Sequence, residues 1–240
     1  MRIEDLQTPT LLIDLDTVRH NVATMRHYVD GDMQRWRPHV KTCKVAEVLE
    51  ILLEAGVRRF KVATTRECEL LLATAAKRPI DVLFAMAQHG ANLQRVAELA
   101  KKHKRHRVAM ISEDPGHSAS VAALGLHVFV DLDPGFHRSG VPLRERDQAL
   151  AVAAAAGDKI AGLHCYDGHL HDGTASERTA AARAIYAELV ALARALPPRA
   201  DSPLELVTSG TPTFTAALAF EPLRQFDHTV SPGTVVATTV

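Results

Sequence analysis

The segment Arg37-Pro38-His39-Val40-Lys41-Thr42-Cys43-Lys44 concentrates amines, a guanidinium, an imidazole and a thiol in eight residues. A lysine at a strand end, partly desolvated and near other cations, gives up its proton readily and can act as an amine nucleophile. The two-residue period of a strand puts Lys41 on the same face as His39. Lys44 reads as a solvated charge of the following turn or helix, and a surface strand end is the plainer reading of Lys41. Val207-Thr208-Ser209-Gly210-Thr211-Pro212-Thr213 offers hydroxyls, a glycine and the start of a helix. Such a turn can hold a phosphate, or simply cap the helix. Asp131-Leu132-Asp133-Pro134-Gly135-Phe136-His137-Arg138-Ser139-Gly140 is a polar loop whose Arg138 can donate to an anionic or phenolic oxygen, or sit in a salt bridge. Gly168-His169-Leu170-His171-Asp172, with His164 before it, has metal-like composition but no H-E-x-x-H spacing, so an exposed histidine-rich loop is the alternative. No P-loop is present, and no G-x-G-x-x-G opens a helix after a strand.

The elements that position these residues follow from periodicity. A strand over 10–15 leads to a helix over 17–29 capped by Asp16. Eight further strands are predicted over 36–41, 59–64, 80–84, 107–111, 126–131, 159–164, 204–208 and 225–230. Helices are predicted near 43–55, 65–76, 91–103, 115–123, 143–156, 174–196 and 212–219, with Pro197-Pro198 as a stop. Gly56, Gly125 and Gly157 follow helical patterns as C-cap glycines do. The alternation favours an α/β fold, a (β/α)8 TIM barrel, with an open doubly wound sheet as the competitor. In a barrel the chemistry sits where strands end. Lys41, Thr64, Asp131, the group His164, Tyr166 and His169, and the group Ser209, Gly210 and Thr211 all fall at such ends.

Of the 240 residues, 47% are hydrophobic and 23% charged, which excludes a disordered chain and a disulfide-stapled miniprotein. Lys plus Arg and Asp plus Glu both number 28, so no net basic field argues for nucleic acid or an anionic membrane. Three scattered cysteines without a C-x-x-C pair fit a reducing, cytoplasmic location. No run approaches the 18 apolar residues of a membrane span.

At these motifs the sequence resembles the D-threonine aldolase and D-serine dehydratase family, related to the barrel domain of alanine racemase. These are pyridoxal-phosphate enzymes of fold type III. The resemblance rests on Thr8-Pro9-Thr10-Leu11-Leu12-Ile13-Asp14, on Arg37-Pro38-His39-Val40-Lys41-Thr42 and on Ala63-Thr64 before Glu67. It continues through Val130-Asp131 to Gly135, Arg138 and Gly140, then Gly162-Leu163-His164 with Tyr166-Asp167-Gly168-His169. It ends with Ser209-Gly210-Thr211-Pro212-Thr213 and Ser231-Pro232-Gly233-Thr234, so the motifs run in order along nearly the whole chain. Cys43 stands where the family often has histidine, and the loop 86–92 does not match the family strongly.

The resemblance implies that Lys41 forms the Schiff base with pyridoxal 5'-phosphate and returns as base for the Cα proton. It places Arg138 beside the cofactor ring, Tyr166 on the ring face and His169 close by. Ser209, Gly210 and Thr211 bind the phosphate, and Thr64 and His39 support the site. The implied activity is a lyase reaction on a β-hydroxy-D-amino acid, either retro-aldol cleavage or dehydration with loss of ammonia. An amino-acid racemase is the alternative within enzymes, and a silent cofactor-binding or regulatory barrel the alternative outside them. The family's second, mainly β domain also supplies a divalent metal site and builds the homodimer's active site. Residues 1–230 are thus expected to be the cofactor barrel and 231–240 the start of a C-terminal β domain that is otherwise truncated or absent, with no metal ligands in this chain.

Overall fold

The computed structural model describes residues 2–197 and 203–237. Helices α1 (Leu15–Tyr28) and α2 (Ala46–Glu54) precede a β/α alternation. It runs β1 (Arg59–Val62), α3 (Thr65–Ala75), β2 (Asp81–Phe84), α4 (Gly90–Lys102), β3 (Arg107–Ser112), α5 (Pro115–Ala123) and β4 (His127–Asp133). After the short β5 (Val141–Pro142) follow α6 (Arg146–Ala156), β6 (Ile160–Cys165), α7 (Ala175–Ala195), β7 (Glu205–Thr208), α8 (Phe214–Leu218) and β8 (Asp227–Val230). The strands form a curled parallel sheet in the order β1-β2-β3-β4-β6-β7-β8, with β5 paired to β4. Each strand is buried on both faces, as a parallel sheet under a shell of helices must be.

The ladder is open between β8 and β1, and there the structure departs from a regular eighth strand over 36–41. Trp36 bridges Val230 and His39 bridges Lys61. The Arg37 N–H donates to the Val230 carbonyl at 2.9 Å, and the Lys61 N–H to the Pro38 carbonyl at 2.9 Å. Pro38 has no N–H to give a ladder, and Val40–Thr42 winds into a 3-10 turn, so the eighth stave is held at isolated points. Residues 10–14 likewise form no strand, and α1 is capped by Asp14 rather than Asp16. The helix expected over 212–219 is shortened to five residues, because 211–213 is a turn. Pro198 of the expected helix stop and residues 238–240 lie outside the described residues.

The barrel interior is layered. At the N-terminal ends of the strands, fully buried Arg37 donates to both carboxylate oxygens of Glu205 at 2.9 and 2.8 Å and to Asp81 at 3.0 Å. Arg59 grips Asp227 through two bonds of 2.7 and 2.8 Å. Above this ionic floor lies an apolar plug of Leu83, Ala109, Ile111, Phe129, Ala161 and Val207. Gly162 permits this packing: a Cβ there would lie 2.1 Å from the Glu205 carbonyl oxygen and 2.6 Å from the Phe129 ring. The larger core lies between strands and helices and contains all three cysteines as free thiols. No helix among the described residues is long and apolar enough to cross a membrane.

The segment after β8 braces the stave. The Ser231 hydroxyl donates to the Arg37 carbonyl at 2.8 Å, and the Trp36 indole N–H to the Pro232 carbonyl at 2.9 Å. Gly233 packs against the backbone of His39 so closely that a Cβ would stand 2.7 Å from the His39 carbonyl oxygen. Val235 and Val236 are buried, and the Asn21 amide donates to the Val236 carbonyl.

Candidate active site

Above the apolar plug, the C-terminal ends of the strands enclose a cavity of about 110 Å³ lined by His39, Lys41, Lys61, Arg138, His164 and Tyr166, with Ala63, Ala85 and Met86. Lys41 stands at the mouth on the 3-10 turn, and its backbone N–H donates to His39 Nδ1 at 3.2 Å. Its side chain reaches solvent, yet partial desolvation and then the Arg138 charge lower its ammonium pKa, with Glu67 opposing. His39 is held neutral, its pKa lowered to about 2 by burial and then by Lys61 and Lys41.

Arg138 is carried by a loop that Asp133 shapes. The Asp133 carboxylate accepts the N–H groups of Gly135 and His137, both at 2.9 Å, and these bonds hold its pKa down against the effect of burial. Arg138 lies 4.9 Å from the Phe136 ring centre and 5.0 Å from that of Tyr166. Phe136 meets Tyr166 edge to face and stacks on His169 at 5.9 Å. The result is a cation resting on a small aromatic wall.

Beneath that wall runs a chain of buried polar groups. Lys61 Nζ lies 2.9 Å from His164 Nε2, and His164 Nδ1 lies 2.6 Å from Asp131 Oδ1. Ser139 donates to the other Asp131 oxygen at 3.0 Å. Strand register explains the grouping. Asp131 is paired with His164 across β4 and β6, and Lys61 with inward-facing Leu83 across β1 and β2. Burial, and then the nearby Lys61, lower the His164 pKa more than Asp131 raises it, so the His164–Asp131 contact is a neutral N–H donating to a carboxylate. Burial also brings Lys61 down to about 7, against the pull of Asp131.

A second cluster ties the loop after β7 to the loop after β6. The Asp167 carboxylate accepts the Gly210 N–H at 3.1 Å, the Thr213 hydroxyl at 2.8 Å and the Tyr186 hydroxyl at 2.5 Å. Burial raises the Asp167 pKa, and these bonds offset part of the rise. Ser209 takes φ of +61°, and its buried hydroxyl has no partner among the described residues. Gly210 lies against Tyr166, where a Cβ would come within 3.1 Å of the ring.

Of the residues singled out from sequence, the fold brings His39, Lys41, Arg138 and Tyr166 to one cavity. His169 joins through Phe136, and Gly210 adjoins Tyr166, with Ser209 and Thr211 on the same loop. Thr64 does not line the cavity: its hydroxyl caps α3 by accepting the Glu67 N–H at 3.2 Å. The three loop histidines part ways, His164 into the barrel, His169 onto Phe136, and His171 to solvent. Arg37, four residues before Lys41, points to the opposite end of the barrel. Sequence reading missed Lys61 and the organising role of Asp167. The signal for Lys61 was present: a second cation, two residues after Arg59, set between Phe60 and Val62 in a short strand flanked by helical stretches.

This curled parallel β/α barrel carries, at its C-terminal mouth, an amine of lowered pKa, a group able to act as a nucleophile. The chain belongs to the family described as alanine racemase, N-terminal domain, which matches residues 13–238. It is 29% identical over 220 residues to a 3-hydroxy-D-aspartate aldolase of Paracoccus denitrificans (strain Pd 1222), covering 86% of this chain and 54% of that protein. It is 29% identical over 159 residues to a D-threo-3-hydroxyaspartate dehydratase of Delftia sp. (strain HT23), covering 64% of this chain and 40% of that protein. Its fold superposes on a crystal structure of D-threonine aldolase from Filomicrobium marinum with a TM-score of 0.79 at 25% identity, covering 98% of this chain and 63% of that one. The chain thus spans about half the length of the curated relatives it matches.

Proposed function

We propose that this chain is the pyridoxal-phosphate barrel of a lyase acting on β-hydroxy-D-amino acids, with Lys41 as the residue that holds the cofactor aldehyde. The observation that carries this reading is the Lys41 amine at the cavity mouth, its pKa lowered by desolvation and Arg138. The residues around it fit the group. Arg138 offers a cation for an anionic ring oxygen, and Tyr166 a flat face for the ring. The buried, partnerless Ser209 hydroxyl on the loop beside Tyr166 suits a phosphate oxygen, with Gly210 allowing close approach and Thr211 adjoining. His169 Nδ1 is also buried without a partner among the described residues. His39 acts as a neutral support under Lys41.

Pyridoxal phosphate, when bound, supplies an electron sink for a bond breaking at Cα. Lys41 then serves as the base that takes or returns the Cα proton. The similarity to a dehydratase and an aldolase of 3-hydroxyaspartates brings dicarboxylic β-hydroxy-D-amino acids into the substrate class beside D-threonine and D-serine. In this reading, residues 1–230 form the cofactor domain and 231–240 lead toward a C-terminal β domain. The homodimer, a divalent metal in the full-length protein and a cytoplasmic location, which suits three free thiols, belong to the same proposal.

The test is incubation of the full-length protein with pyridoxal phosphate and D-threonine, D-serine or D-threo-3-hydroxyaspartate, with and without chelator. Glycine plus an aldehyde identifies an aldolase, and a 2-oxo acid plus ammonia a dehydratase. Racemised substrate alone overturns the lyase reading. Borohydride reduction followed by peptide mapping is expected to find the cofactor on Lys41. Unchanged cofactor absorbance in Lys41→Ala would overturn its assignment.

A further inference from the structure

We infer that Lys61 is a second proton-transfer residue of this cavity, a buried amine whose protonated form is held by His164 and Asp131. The geometry fixes the direction of the chain. Asp131 accepts the hydrogen bond from the His164 Nδ1–H, so the Nε2 lone pair faces Lys61, and Lys61 must be the donor in that 2.9 Å contact. A neutral Lys61 amine spends one N–H on His164 and keeps a lone pair and a second N–H, 5.4 Å from the centre of the Tyr166 ring. The residue is only 3% exposed, and it lines the same cavity as Lys41.

The charges around it hold it ready as a base. Lys41 and Arg138 face it from the mouth, and Arg37 lies below, all disfavouring a further cation. Neutral His39 and His164 flank it, and Asp131 is the counter-charge that favours its protonation. Burial first, and then these opposing charges, bring its pKa down to about 7. In the step assigned here, the Lys61 lone pair forms an N–H bond with a proton of an acid bound in the cavity. The donor keeps the electron pair of the broken bond. The resulting ammonium gives one hydrogen bond to His164 and is countered by Asp131, and the proton is later returned to product or solvent. A cavity with two basic amines, Lys41 and Lys61, can move protons at two positions of one substrate. This role deepens the function proposed above and rests on it for the identity of the proton donor.

Two experiments test it. Lysine 13Cε NMR of the chain without cofactor, from pH 5 to 10, is expected to show one lysine with a midpoint near 7. That signal is expected to be absent from Lys61→Met. Ordinary midpoints near 10 for every lysine would overturn the inference, and this readout is independent of Lys41 capturing a cofactor. With pyridoxal phosphate and a D-amino acid in heavy water, Cα hydrogen exchange or turnover is expected to fall about a hundredfold in Lys61→Met. The limb of the pH profile near 7 should vanish while the absorbance of bound cofactor persists. Lys61→Arg keeps a cation but cannot release its proton, so it should behave like Lys61→Met. Wild-type rates and pH profile in Lys61→Arg would show a charge without a proton-transfer role and overturn the inference. Lys61→Gln provides the same comparison if Lys61→Met does not fold.

Discussion

Arg37 holds both carboxylate oxygens of Glu205, at 2.9 and 2.8 Å, with both side chains buried. Burial alone would lower the Arg37 pKa, but Asp81 and Glu205 outweigh it and keep the guanidinium charged. The pair joins the irregular stave to β7 through the barrel centre. Arg37→Met strands Glu205 without its main counter-charge and should cost about 3–5 kcal/mol. Urea unfolding monitored by circular dichroism measures this. The double variant Arg37→Met with Glu205→Met should cost less than the sum of the two single changes.

Gly162→Ala places a methyl group 2.1 Å from the Glu205 carbonyl oxygen, where β6 meets β7, and 2.6 Å from the Phe129 ring. Both neighbours are packed in the barrel, so relief requires strand displacement. A loss of about 3 kcal/mol is expected. Thermal and urea unfolding would both detect it, and wild-type stability would show that β6 and β7 separate more easily than their ladder indicates.

Asp167→Ala removes one acceptor from Gly210, Thr213 and Tyr186 together and leaves buried donors unpaired. Each unsatisfied donor costs about 1–3 kcal/mol, so the variant should be severely destabilised. Asp167→Asn keeps the oxygen that Gly210 and Thr213 share and should fold, with pyridoxal-phosphate affinity weakened about tenfold, roughly 1.4 kcal/mol, because a neutral amide oxygen holds Gly210 and its loop less strongly than a carboxylate and Tyr186 loses its acceptor. Fluorescence titration with the cofactor measures the change.

Stability should fall on acidification from about pH 6.5. Burial first, and then neighbouring cations, bring His39 to about 2 and His228 to about 3. The folded chain therefore keeps both rings neutral, while the unfolded chain protonates them below their ordinary value of about 6.5. The unfolded state then binds more protons, so stability is present above that value and is lost as pH falls toward the folded pKa values. Each ring contributes a slope of roughly 1.4 kcal/mol per pH unit in that window. Urea midpoints between pH 7 and 4 test this, and His228→Gln should reduce the slope by one proton's share.

Much of the architecture was legible because hydrophobic runs and helix periodicity are local. The strands from β1 to β8, the short β5 aside, fall within a few residues of the predicted runs. Capping also read correctly in kind at Gly56 and Gly125, whose φ values of +95° and +82° suit glycine. The segment 36–41 read as an ordinary strand because its composition is strand-like, while its isolated pairing is decided by Pro38 and by neighbours far along the chain. Thr64 ends a predicted strand and the resemblance adds it to the site as a supporting residue; in the fold its hydroxyl caps the helix that follows.

By itself, the sequence determined the alternation of elements and put Lys41, Arg138 and Tyr166 near strand ends, since those properties depend on residue type and local spacing. Only the tertiary structure decided which of the reactive groups meet. Inward positions at equal heights become neighbours through sheet register, which joins Asp131 to His164 and sends Lys61 into the same interior. Arg37 and Lys41, four residues apart, are separated to opposite ends of the barrel by the same geometry. Burial then sets the protonation: an amine that is an ordinary surface cation in an isolated strand has its pKa brought down to about 7 inside a desolvated barrel beside other cations.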